Sequence, residues 1–361
     1  MSSHEDCPYA LVKSLNTPAP ISSLEFGHAG HIFAGSRDGT LRLYDLSSFK
    51  VLKAVRGLKD EISSIACLKR PETELRDAWV ACGNHVYLFK MDTPSLIMTE
   101  KDAISSLKLT EDDDVLNEVC IALDKKHLAF TTDIGLVGVV ELSTSSVTTM
   151  KERHASICSC VAFVPDRPRE LVSAGYDETI LHFDFPEGTT LSQHKISSSQ
   201  AIEGMSLSPP FIMSTAMSAN GVLAAGTADG QLWIGFGGQK GLAAKTKTKK
   251  ARKWNGLSDQ EKMVCTKVAD GPLVAMSFST TEILTASTLL GTIVQWKING
   301  ESSDQASILE ELWKKEVTGM EKVNALVAND TKIIIGGFTK DEKGVIEIWD
   351  KRAIPQNTTA T

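Results

Sequence analysis

RHASICSCVAFVPDRPRELVSAGYDETILHFDF, residues 153–185, reads as one complete structural unit, and the rest of the chain can be laid against it. ICSCVAF (157–163) is rich in β-branched, aromatic and small residues and is stopped by VPDRP, whose prolines end ladder pairing. ELVSAG (170–175) is a second run, closed by the turn YDET, and ILHFDF (180–185) is a third, ended by PEG. The spacing predicts three antiparallel strands joined by tight turns, followed by a fourth in TTLSQHKI (189–196).

A histidine before the first strand, an aspartate in the second turn and an aromatic-Asp pair closing the third strand resemble a WD40 repeat. The resemblance implies a structural polar chain through His154, Ser173 and Asp177. Phe183 stands where such repeats carry Trp, and a phenyl ring has no N–H to donate, so the chain can be at most partly formed. Similar units recur at roughly 40 to 50 residues, the period of propeller blades, which cannot bury both faces alone. The first blade covers 21–57 with an Asp38-Gly39 turn and a Tyr44-Asp45 ending, the third 118–152, the fifth starts at 211, the sixth at 273 and the seventh at 322. In the second blade, from 61, PSLIMTE (94–100) and AISSLKL (103–109) compete for the place of the fourth strand. The last blade has three strands and the chain begins with a solitary one, YALVKSL (9–15). Open sheet edges are a liability, so this strand is expected to close the ring. The expectation is an all-β, seven-bladed WD40 propeller over 9–353, with a flexible stretch at 1–8, a basic loop insertion at about 238–262 and a polar tail at 354–361.

Composition narrows the function. The 361 residues carry a net charge of −7, so the body of the molecule is not built to attract nucleic acid or an acidic membrane surface. Seven cysteines, odd in number and scattered without a CxxC pair, fit reduced thiols better than a disulfide framework. No apolar run approaches membrane-spanning length, and the polar start MSSHEDCPYA lacks an apolar signal core. These features point to a soluble intracellular protein, a monomer within a larger complex.

Enzyme signatures are absent: the chain has no GxSxG, HExxH or GxxxxGK[ST]. The glycines of GFGGQKG (235–241) lack the spacing and the βαβ context of a phosphate loop. Strand alternation places Cys158 and Cys160 on one face near His154, but a structural zinc needs four ligands, so core thiols are the better reading. No catalytic residue, metal or cofactor is assigned.

Two stretches stand out. The first is KTKTKKARK (245–253), with Lys245, Lys247, Lys249, Lys250, Arg252 and Lys253 concentrated in an acidic protein. It reads as a nuclear import signal, as an arm for RNA or another polyanion with Trp254 stacking on a base, or as an inert solvated loop. The second is Trp349-Asp350-Lys351-Arg352, whose WDxR form resembles the motif by which WD40 proteins dock to the damaged-DNA-binding adaptor of cullin-4 ubiquitin ligases. Arg352 would contact the adaptor, Asp350 would orient it and Trp349 would pack beneath.

The run at 153–178 also resembles the corresponding blade of the WD repeat-containing protein 53 family. That resemblance implies a non-enzymatic propeller among candidate substrate receptors of cullin-4 ligases, although it does not itself place a WDxR at 349–352. The expected function is therefore a scaffold that joins a ligase adaptor to an unidentified substrate, in the nucleus and the cytoplasm. The alternative is a propeller of a ribonucleoprotein complex, anchored by the 245–253 arm.

Overall fold

The computed structural model describes residues 7–28, 30–68, 77–197, 208–237, 254–257, 263–300 and 307–352. Within them lie seven sheets, antiparallel but for one added strand, arranged as a closed propeller, with a single short 3-10 turn at Glu100–Asp102. Blade four shows the plan: Cys158–Phe163, Glu170–Gly175, Thr179–Asp184 and Thr189–Lys195 run from the axis outward. Blade one likewise has Ile21–Phe26, His31–Ser36, Leu41–Asp45 and Val51–Val55. Its turn needs Gly39, which sits at φ 69° with the Leu58 carbonyl where a Cβ would be.

The expected closure holds. Tyr9–Thr17 is the outer strand of blade seven and pairs antiparallel with Gly344–Lys351, from Tyr9 opposite Lys351 to Thr17 opposite Gly344. First and last strands of the chain thus share one sheet, and the ring has no open seam. The choice left open in blade two is also resolved. Ser105–Lys108 supplies its fourth strand, whereas Ile97–Met98 leaves the blade and adds a parallel fifth strand to blade one, beside Val51–Val55. Met98 is buried there, and Lys53 fastens the crossing by donating to the carbonyls of Thr93 and Ser95.

Seven apolar clusters fill the seven interfaces between neighbouring blades. Burying both faces of every sheet in this way is what makes a blade stable only in company. A polar ring reinforces the apolar one. Each inner strand carries a bulge near its start. From these strands small polar side chains donate to the backbone of the next blade. The bonds are Ser22 to Ile62 at 2.8 Å, Ser64 to Val119 at 3.4 Å, Asn117 to Cys158 at 3.1 Å, Ser159 to Ile212 at 2.7 Å, Ser214 to Leu273 at 2.7 Å, Ser277 to Ala328 at 3.4 Å and Asn324 to Ile21 at 2.8 Å.

The bulge corrects one expectation. Because the register shifts between Cys158 and Cys160, the alternation breaks and the two thiols face opposite sides of the blade. Cys158 packs with Leu181 and Phe183 toward blade three, and Cys160 with Ile212 and Leu223 toward blade five.

Candidate functional site

Blade four carries its polar chain as far as the sequence allows. His154 and Ser173 are buried, and the imidazole links Asp177 Oδ1 at 2.9 Å through Nδ1 to Ser173 Oγ at 2.8 Å through Nε2. A carboxylate only accepts, so Nδ1–H donates to Asp177. Asp177 also accepts the N–H groups of Ala155 and Thr179. Burial works to raise its carboxyl, but the hydrogen bond and charge of His154 outweigh it and hold the group below the usual range. Phe183 is fully buried and ends the chain. The group ties the turn before the blade to the turn within it and has no open position for a substrate.

The residues expected to dock an adaptor lie at the end of Gly344–Lys351, the third strand of blade seven from the axis. Trp349 is buried in the interface with blade six, among Tyr9, Trp313 and Val317, and its Nε1–H donates to Glu347 Oε2 at 3.1 Å. Asp350 pairs with Lys332 Nζ at 2.6 Å, not with Arg352. Lysine 332 lies opposite Asp350 on the neighbouring strand, so strand register sets this pairing. Arg352 is exposed; its backbone N–H donates to the Pro8 carbonyl at 2.8 Å, and its guanidinium has no partner among the described residues.

Lys245, Lys247, Lys249, Lys250, Arg252 and Lys253 lie outside the described residues. Trp254, which follows them, corrects the idea of a base-stacking platform. It is buried between blades four and five, donates Nε1–H to the Gly221 carbonyl at 2.8 Å and its backbone N–H to Glu170 Oε2 at 3.0 Å, and meets His182 edge-on. Glu170 is also bonded to His182 Nε2 at 3.0 Å; burial would raise its carboxyl, and these bonds bring it below its ordinary value instead. An indole held this way has no free face for a base. Sequence reading missed the role because Trp254 follows a run of basic residues rather than sitting in a strand pattern.

A further feature escaped the sequence reading. The inner strands enclose an axial channel of about 510 Å³. Of its lining residues among those described, Glu25 and Glu118 are the charged ones, and both are acids. Glu118 Oε2 accepts the Val161 N–H at 2.6 Å, and burial pushes its carboxyl up to about 7. Among the described residues no group of three or more His, Cys, Asp or Glu is placed to hold a metal, and no helix is long and apolar enough to cross a membrane.

Comparison with known proteins agrees with this architecture. The family described as WD domain, G-beta repeat, matches residues 10–45 and 144–184, the second match containing blade four's three inner strands. The chain is similar to the WD repeat-containing protein 53 homolog of Dictyostelium discoideum, 24% identical over 206 residues, which are 52% of this chain and 54% of that protein. The match thus spans about half the length of that curated relative. Among solved structures the chain is similar to the β-propeller domain of Cps50 (Swd1) from Myceliophteria thermophila, with a TM-score of 0.69 over 96% of this chain and 100% of that one. Identity to it is 14%, so that likeness concerns the fold alone. The chain carries WD40 repeats and resembles the WD repeat-containing protein 53 family.

Proposed function

We propose that this WD40 propeller, a scaffold for protein interactions, is a substrate receptor of a cullin-4 RING ubiquitin ligase, binding the damaged-DNA-binding adaptor through Trp349, Asp350 and Arg352. The observation that supports this reading is the state of Arg352: exposed, anchored through its backbone to Pro8, and without a side-chain partner among the described residues. A guanidinium is a planar, always charged fork of donors, and an unpaired one on a fixed backbone keeps its donors for acceptors on another protein. Trp349 fixes the strand below it and Lys332 restrains Asp350, so the strand end is presented by a rigid edge.

Arg352→Ala removes the fork without touching the interface beneath. Affinity purification of the wild type should bring down the cullin-4 adaptor, and the Ala variant should lose it with an unchanged melting temperature. Equal recovery with both proteins, or with neither, sinks the assignment. The reading includes residence in both nucleus and cytoplasm, with 245–253 as the import signal. Its support is the density of Lys and Arg there in an otherwise acidic chain.

A further inference from the structure

The boundary between blades six and seven gathers cations along its outer strands. The outermost strand of blade six, Leu309–Glu316, pairs with Thr292–Ile298 so that Trp313 lies opposite Gln295, Lys314 opposite Val294 and Lys315 opposite Ile293. Ile293, Trp313 and Val317 are buried against blade seven, so alternation turns Lys315 to that side as well. Val294 packs toward blade five, and Lys314 points that way instead.

Blade seven adds two more cations. Along Gly344–Lys351, Val345 and Trp349 face blade six, so Lys351 does too, opposite Tyr9 on the closing strand. Arg352 follows it, fixed by its backbone bond to Pro8. Cys7 joins the two sides: it packs on the apolar cluster between blades six and seven, where Tyr9 and Trp313 meet with ring centroids 5.5 Å apart. Burial pushes the Cys7 thiol up, while the charges of Lys315 and Arg352 both pull it back, so both cations stand near one sulfur.

Lys315, Lys351 and Arg352 are exposed, and their side chains make no hydrogen bond or ion pair among the described residues. The neighbouring acids are occupied: Asp350 lies on the other face of its strand with Lys332, and Glu347 is buried beneath the Trp349 indole N–H. Burial chiefly raises the Tyr9 hydroxyl and Asp330 adds to it, so this exposed acid stands near and offsets one of the three charges. Like charges gathered in this way repel one another, and an anionic partner relieves the repulsion. Leu11, opposite Trp349 and 46% exposed, supplies an apolar contact beside them.

We infer that the surface that docks the adaptor extends across the blade boundary from Arg352 to Lys315, with Lys351 as its third cation, and receives an acidic segment of that partner. The inference rests on the adaptor reading for the identity of the partner; the chemistry of the contact comes from the three cations.

The test titrates the purified damaged-DNA-binding adaptor onto the immobilised full-length chain by biolayer interferometry, at about 0.05 M and about 0.5 M salt, between which the Debye length falls from about 14 Å to about 4 Å. Lys315→Glu should weaken binding roughly 10-fold at the lower salt, mainly by slowing association, and the loss should shrink at the higher salt. Lys315→Arg should match the wild type. Lys314→Glu, the same change of charge on the side away from blade seven, should stay within about 2-fold of it. All three variants should melt with the wild type, because both side chains are exposed. If Arg352→Ala loses the adaptor while Lys315→Glu binds no more weakly than Lys314→Glu, the acidic contact is overturned and the adaptor reading stands. A wild type that does not bind the adaptor removes that reading and this inference with it.

Discussion

Asp177 and Glu118 are two carboxylates on which folding acts in opposite directions. Asp177 is held low because the bond and charge of His154 exceed the cost of burial, and Glu118 is pushed up to about 7 because a single backbone N–H does not offset that cost. For Asp177 the stabilisation is present above the ordinary carboxylate range, near 4, and is lost as pH falls through its depressed native value. Asp177→Asn should therefore cost about 1–3 kcal/mol at pH 7, and its gap to wild type should close as the pH is lowered past about 4. Thermal melts of both proteins from pH 3 to 8 check this; a gap that stays constant over the range refutes the charge-based account. Glu118 carries the opposite sign: it costs nothing below the unfolded value, and the cost grows as pH rises toward 7. The His154, Ser173 and Asp177 group was legible in the sequence because repeat spacing fixes its geometry. The state of Glu118 was not, since nothing in LNEVCI says that the strand faces an enclosed channel.

Two elements depart from the regular blade. Ile97–Met98 crosses to blade one as a parallel strand, leaving Leu96 at 70% and Ile97 at 58% exposure while Met98 is buried in the interface. Hydrophobicity alone made PSLIMTE and AISSLKL equal candidates for one strand; only the place of Met98 in the core between blades one and two separates them. The segment 254–257 is the other, with Trp254 and Leu257 set between blades four and five after the basic stretch. Trp254→Ala should remove about 3–5 kcal/mol by opening a cavity in that interface. Trp254→Phe, which keeps most of the packing and loses the bond to Gly221, should cost less than half as much. Denaturant unfolding of the two variants is the check, and a loss below about 1 kcal/mol for the Ala form would show the indole to be an ornament of the surface.

At the scale of the whole molecule, the ring is closed twice, by seven apolar interfaces and by side-chain bonds that pass from each inner strand to the next blade. The last of those bonds, Asn324 to the Ile21 carbonyl, joins residues 303 positions apart in sequence. Charge is distributed unevenly along the chain. The chain has a net charge of −7, yet 245–253 is a cationic block. If that block is the import signal, a fluorescent fusion lacking 245–253 should lose its nuclear share with no change in melting temperature. An undiminished nuclear signal rejects the role.

The sequence by itself determined the number of blades, the order of strands in five of them and the closing role of Tyr9–Thr17, because turn residues and strand periodicity are local and a repeat multiplies the signal. It also exposed the WDKR end of the last strand as a candidate. Tertiary structure alone decided what those residues meet: Asp350 taken by Lys332, Trp254 taken into an interface, and Cys158 and Cys160 turned apart by a bulge. It alone placed Glu118 in a channel that exists only once all seven inner strands surround it. The reason is physical: local patterns specify the backbone of each blade, whereas burial and charge pairing depend on neighbours supplied by distant parts of the chain.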